Sequence, residues 1–400
     1  MSSVASGLAS APPFELATPA RIVFGAGAVA GLGALAREHG GHALVVIGRA
    51  AARATTAVQL LEEAGVRATT FSVAGEPSVE TARAGVAAAR TAGCDLVVGF
   101  GGGSALDAAK AIAALLGNGG DPLDYLEVVG RGRPLVRPSL PFIAVPTTAG
   151  TGSEVTKNAV LASSEHGVKA SLRSPLMLAR AAIVDPDLLE GLPAPVIASS
   201  GLDALSQLIE PFLSARANPF SDGLAREGIR RSAGALGRAY AATRAGGQVA
   251  AADREALALA SLFGGLCLAN AGLGAVHGFA APIGGLFAAP HGAVCAALLV
   301  PVLRVNLAAL RVRAPDGGAL GRFAELAVLL TGRPQATAEE GIAALTELCH
   351  ALEVPGLARY GVRPADVPSL VAKARVASSM KGNPVALTDD ELAAIVVAAL

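Results

Sequence analysis

The sequence predicts two structural halves, an α/β domain built on a parallel, Rossmann-like sheet followed by an all-α domain. Three observations carry that expectation. Up to about Leu192, short Val/Ile-rich runs alternate with helical stretches of 10–15 residues, the pattern of a parallel sheet with helices on both faces. Beyond Leu192 the segments become long, Ala/Leu-rich and helix-periodic through to the closing AAIVVAAL. At 400 residues, the chain suits two domains better than one. The boundary is placed at Glu190–Pro195, giving residues 1–192 and 193–400.

The elements follow in order. After a first dozen residues without periodicity, Arg21–Phe24 reads as a strand, with a glycine turn and a helix to about His39. His42–Gly48 is a buried strand, an apolar run closed by glycine. A helix to about Gly65, a strand at Ala68–Val73, the turn Gly75–Ser78 and a helix at Val79–Ala92 come next. Leu96–Val98 is a strand that opens into GFGGGSALDAAK. A strand–turn unit spans Pro141–Thr156, and Ala181–Val184 adds a further strand.

Composition excludes several classes. Lys+Arg and Asp+Glu are 32 each, so no net field attracts nucleic acid or anionic lipid. There is no tryptophan, and aromatics are 4%, which argues against stacking on single-stranded nucleic acid. Mean hydropathy is +0.52, yet no uninterrupted apolar run reaches ~18 residues, so no membrane span is expected. The four cysteines, Cys94, Cys267, Cys295 and Cys349, lack CxxC spacing, which argues against a disulfide framework or a thiolate zinc site and fits a reducing compartment. The first residues lack the basic start and apolar core of a signal peptide, so a cytoplasmic protein is expected.

Four stretches carry chemistry. GGGS at Gly101–Ser104 follows a strand and opens a helix, where bare amides and the helix N-terminus attract a phosphate; a plain tight turn reads the same way. PTTAGTGSE, Pro146–Glu154, clusters hydroxyls and glycines after another strand, where a parallel sheet places its ligand crevice. In SSGLDALSQLIE, Asp203 and Gln207 share one helix face, and a carboxylate among Ala, Leu and Ile needs a partner or the helix dipole. Finally, Gly272–Gly292 holds His277 and His291 in an otherwise apolar stretch. On one straight helix their fourteen-residue separation is about 21 Å, so a shared metal site requires a bend. Pro282, Gly284-Gly285 and Pro290 are the candidates for it. Two separately satisfied histidines are the alternative.

Together, RIVFGAG, GGGSALDAAK, PTTAGTGSE, GLDAL, the two histidines and KGNP resemble the iron-containing (group III) alcohol dehydrogenase family over nearly the whole chain. The resemblance implies an NAD(P)-linked dehydrogenase or carbonyl reductase acting on a small-molecule alcohol/carbonyl substrate in the cleft between the halves. Asp203, His277 and His291 match the metal ligands, serving catalysis by polarising the substrate oxygen. Gly102, Gly103 and Ser104 match the diphosphate loop, and Thr147, Thr148, Asn158 and Lys169 match further cofactor contacts. Two departures stand out. Gln207 occupies a position usually held by a ligand histidine, so it offers only an amide oxygen. Ala281 replaces a histidine thought to relay protons. The divalent ion is therefore iron or zinc. The alternatives are a maleylacetate-reductase-type enzyme without tightly bound metal, against which Asp203 argues, a dehydroquinate-synthase-like lyase, and a degenerate non-catalytic member. A homodimer is expected.

Dinucleotide choice is read at the end of the second strand. Gly48 stands there with Arg49 and Arg53 following and no acid before Glu62, so nothing repels the 2′-phosphate of NADP(H). NADPH is expected to serve alongside NADH. The apolar residues Phe263, Leu273, Phe279 and Phe287 read as core packing for the most part, or as substrate lining.

Overall fold

Among the described residues eight strands form: β1 (Ile22–Phe24), β2 (His42–Ile47), β3 (Arg67–Ser72), β4 (Leu96–Gly101), β5 (Phe142–Pro146), β6 (Asn158–Ser163), β7 (Val168–Arg173) and β8 (Ala181–Val184). The computed structural model describes residues 13–48 and 51–400. Six strands make one sheet in the order β1-β8-β5-β4-β2-β3, every neighbouring pair parallel. Apolar runs account for its interior: β2, β4, β5 and β8 are buried along their whole length. The polar RATTFS of β3 is half exposed at one edge. Side-chain alternation divides β2 between two cores, with Leu44 and Val46 on one face and Ala43, Val45 and Ile47 on the other.

The connecting helices are α1 (Leu32–Arg37), α2 (Ala51–Glu63), α3 (Val79–Ala92), α4 (Gly103–Asn118) and the single turn α5 (Pro122–Tyr125). The first is shorter than its sequence suggests, because Ala28–Gly31 forms a 3-10 turn. From β2 the chain steps outward to β3, then crosses back to place β4 on the other side of β2. That reversal opens a crevice at the carboxyl ends of β2 and β4, where open α/β sheets bind their ligands.

One element was not anticipated. β6 and β7 pair antiparallel, from Asn158 opposite Arg173 to Ser163 opposite Val168, apart from the main sheet. The hairpin leans on α4 and forms a wall over the crevice.

The second half begins at α6 (Ala194–Leu213), followed by α7 (Pro219–Arg244), α8 (Ala251–Ala271), α9 (Ala275–Leu286) and α10 (His291–Arg313). The chain closes with α11 (Gly318–Thr331), α12 (Ala338–Ala351), α13 (Val367–Arg375) and α14 (Asp389–Ala398). Buried almost throughout, α6 packs against α7, α8 and α10. The α8–α9 junction bends by 99°. By length and composition α10 is apolar enough to cross a membrane, but 72% of its apolar window is buried inside the protein, as a core helix requires. Phe279 belongs to this helical core, Phe263 and Phe287 pack against it, and Leu273 is buried; none of the four lines the cleft described below.

Candidate active site

The site is built where α6, α9 and α10 meet. On α6, Asp203, Gln207 and Glu210 follow at four and three residues, so they share one face. His277 stands in the first turn of α9 and His291 is the first residue of α10, with Cys295 one turn further on. Of the three candidates for the bend that unites the histidines, Pro290 stands at it, while Pro282 and Gly284-Gly285 do not. Both lie inside α9, which continues to Leu286. The break is the segment 287–290, extended at Phe287 and Pro290. Gly292 then permits close approach of α10 to α6, since a Cβ there would stand 2.4 Å from the Ser199 carbonyl oxygen. The two imidazole centroids come to 5.5 Å.

Glu210 orients the first imidazole. Its Oε2 lies 2.6 Å from His277 Nδ1, and its Oε1 accepts from the Val276 amide at 2.7 Å. With the Nδ1 proton held by a carboxylate, Nε2 is left to present a lone pair. That Nε2 lies 3.3 Å from Asp203 Oδ1, and His291 Nε2 lies 3.8 Å from the same oxygen. Cys295 Sγ stands 3.7 Å from each Nε2. Burial alone would raise the Asp203 carboxyl; His291 and His277 outweigh it and hold it below the usual range. For His277, burial opposes protonation, but Cys295, Asp203 and Glu210 together raise it well above its ordinary value. His291 rises to about 9, first through Cys295 and then, against burial, through Asp203.

A cation fits this donor set. Asp203, His277, His291 and Cys295 each offer an atom within 4.8 Å of the others. Gln207 donates from Nε2 to the Gly150 carbonyl at 3.2 Å, which leaves its buried Oε1 with no partner. An acceptor left bare in a buried place is costly unless something positive meets it.

A cleft of about 210 Å³ runs from this cluster to the sheet. Gln207, His277 and His291 line its helical end, Asn158 and Lys169 come from the hairpin, and Gly103 and Ser104 stand at the N-terminus of α4. A Cβ on Gly103 would lie 2.8 Å from the Thr151 side chain, so the two glycine-rich turns pack directly on each other. That cradle, ending on free helix amides, fits a dinucleotide diphosphate. Thr147 and Thr148 sit behind the cleft: the Thr147 amide donates to Gly101 O at 2.9 Å, and Thr148 packs against Gly102. Gly48 lies beside Gly101, whose added Cβ would reach its amide at 3.3 Å. Arg49 and the Arg53 side chain lie outside the described residues. Lys169 pairs with Glu76 at 2.5 Å.

Sequence reasoning missed Glu210, Cys295 and a buried polar cluster under the hairpin. Lys110 Nζ donates to Ser153 Oγ, Thr156 Oγ1 and the Asn158 carbonyl at 3.0, 2.9 and 2.7 Å. Asp107 accepts from Ser153 Oγ at 2.5 Å and from the Val160 amide at 3.0 Å. These bonds tie α4 to both the PTTAGTGSE turn and β6. Glu154, buried beside Lys110, is pushed up to about 7 by desolvation, and Lys110 falls to about 8 for the same reason. The signals were present: Asp107 and Lys110 are three apart, Glu210 is two turns from Asp203, and Cys295 is one turn from His291.

A glycine-rich cradle facing a buried carboxylate–imidazole cluster suits a nicotinamide-linked oxidoreductase. The iron-containing alcohol dehydrogenase model matches residues 19–186, and the model of that family's C-terminal part matches 197–400. The chain belongs to the iron-containing alcohol dehydrogenase family, oxidoreductases acting on CH–OH groups. It is 37% identical over 342 residues to 1,3-propanediol dehydrogenase of Klebsiella pneumoniae, covering 84% of each chain. A solved 1,3-propanediol oxidoreductase superposes with a TM-score of 0.89 at 34% identity, over 97% of this chain and all (100%) of that one. Sulfoacetaldehyde reductase from Bifidobacterium kashiwanohense, solved with NAD+, superposes at 0.84 with 28% identity over 97% and 99% of the two chains.

Proposed function

We propose that the protein interconverts a small alcohol and its carbonyl partner with NAD(H), and accepts NADP(H) as well. One divalent ion, iron or zinc, would be held by Asp203, His277 and His291, with Gln207 beside it. The observation that carries this reading is the convergence of those side chains at one end of a cleft whose other end is the α4 N-terminus. When bound, the ion supplies a Lewis acid for the substrate oxygen and the dinucleotide supplies or accepts the hydride.

The chain's own residues do the rest. Gly102, Gly103 and Ser104 offer bare amides and the helix dipole to the diphosphate, while Asn158 and Lys169 hold the cofactor from the hairpin side. Thr147 and Thr148 support those glycines from behind, and Gly48 leaves room at the end of β2. Glu210 fixes the His277 ring. The polar lining from Asp107, Ser153 and Asn158 suits a hydroxylated, short substrate, in keeping with the related 1,3-propanediol dehydrogenases. All four cysteines are free, which suits a cytoplasmic protein. The homodimer expected from the sequence is tested by sedimentation velocity.

The function is tested by NADH oxidation against a panel of short aldehydes and keto acids, with His277→Ala alongside. Turnover on the aldehydes, abolished with metal binding in the variant, supports the reading. Tightly copurified NAD with no net turnover points instead to internal recycling of the cofactor, as in a lyase.

A further inference from the structure

We propose that Cys295 is itself a metal ligand, so that this chain completes an Asp203–His277–His291–Cys295 set in which the thiolate replaces the missing histidine. The inference rests on the metal site proposed above and concerns which side chain holds the ion from the protein side.

Three observations carry it. The first is distance. Donors ~2.05 Å (nitrogen) and ~2.3 Å (sulfur) from one tetrahedral ion stand about 3.6 Å apart, and a nitrogen and an oxygen about 3.3 Å apart. Cys295 Sγ lies 3.7 Å from both His277 Nε2 and His291 Nε2, and His277 Nε2 lies 3.3 Å from Asp203 Oδ1. A thiol packed by chance has no reason to be equidistant from both ring nitrogens that face the site.

The second observation is direction. Cys295 is fully buried, and neither it nor Asp203 lines the cleft, whereas Gln207, His277 and His291 do. Sulfur therefore approaches from behind, so a substrate oxygen would enter from the cleft side as a fifth donor, the expanded coordination that catalytic sites reach. The third is what Gln207 does instead. Its amide nitrogen is anchored to the Gly150 carbonyl, and its bare Oε1 is a weak neutral donor at the cleft wall. A site that lacks one imidazole has a stronger donor already in place on α10.

Binding forms the sulfur–metal bond as the thiol proton leaves to solvent, and the ion neither gains nor loses electrons. A thiolate shifts preference toward the softer, later metals, so zinc and cobalt(II) are held more firmly than iron(II).

The test is cobalt(II) substitution of the whole protein, read by absorbance. Cobalt bound at one per chain with a near-ultraviolet thiolate-to-cobalt charge-transfer band supports the proposal. In Cys295→Ser the band is lost while visible cobalt bands remain, and zinc is held on the order of 10-fold or more weaker. Gln207→Ala keeps the sulfur band. Cobalt bound with visible bands but no sulfur band in the unmodified protein overturns the assignment of Cys295 alone. No cobalt, zinc or iron binding at all overturns the metal reading beneath it. Because the unmodified protein carries the decisive band, the test holds even if the serine variant misfolds.

Discussion

Glu210→Gln probes the part of the site that sequence reasoning overlooked. The wild-type carboxylate accepts two buried hydrogen bonds, from the Val276 amide at 2.7 Å and from His277 Nδ1 at 2.6 Å. A glutamine of nearly the same volume has one acceptor oxygen, so it serves one donor and turns an N–H toward the other. The consequence has two parts. Losing one buried, charge-assisted bond costs about 1–3 kcal/mol of folding stability. Losing the anionic partner leaves the His277 tautomer unfixed and its Nε2 less basic, which weakens metal holding by ~10–100-fold, or about 1.4–2.7 kcal/mol. The assay is competition for zinc against a chelator of known affinity, with thermal denaturation of metal-free protein run in parallel. Weaker zinc binding together with a lower Tm is expected. A zinc affinity within ~2-fold of wild type would show that Glu210 does not act on the ligand, and the 10–100-fold expectation would be refuted.

Gln207→His supplies the absent imidazole, and metal retention in dialysis is expected to tighten by ~10-fold or more; equal loss from both proteins would show that position 207 does not face the ion. For the dinucleotide, kcat/KM with NADPH is expected within ~10-fold of that with NADH, a difference of about 1.4 kcal/mol or less. Gly48→Asp should shift preference to NADH, and a hundredfold NADH preference in the unmodified protein would contradict the account. Glu154→Gln tests the buried cluster through pH. The Glu154 carboxyl titrates at about 7 in the fold against an ordinary 4.5, so the unfolded chain loses its proton first. This group's contribution to stability therefore falls as pH rises through that window, by up to about 3 kcal/mol. Urea denaturation at both ends of the window should show wild type losing stability relative to the glutamine variant; parallel profiles would refute the assignment.

Much of the fold was legible because burial on both faces writes a simple code. β2, β4, β5 and β8 are continuous apolar runs, and α3 begins and ends at the expected Val79 and Ala92. The hairpin escaped because its alternation, with Ala159, Leu161 and Ser163 inward, is short and sits between loops that read as turn chemistry. Of the candidates for the bend between the histidines, Pro290 stands at the break, 287–290, whereas Pro282 and Gly284-Gly285 are accommodated within α9. Tertiary packing, not local propensity, decides that choice. Cys295 stands alone in the sequence, without the CxxC spacing that marks a thiolate site. Chain spacing registers only His291, four residues before Cys295 on α10; Asp203 and His277 lie on other helices. Asp203, His277 and His291 were legible through the family pattern, whereas Glu210 required knowing which face of α6 meets α9.

The central claim, that chemistry depends on an ion held where α6, α9 and α10 meet, is tested most directly by titration. Protein stripped with a chelator is reloaded with zinc, iron(II) or cobalt(II) while bound metal and NADH-linked aldehyde reduction are followed together. The account predicts negligible turnover in the stripped protein and activity that rises in proportion to bound ion, ending at one per chain. Full activity in protein without detectable metal would contradict it.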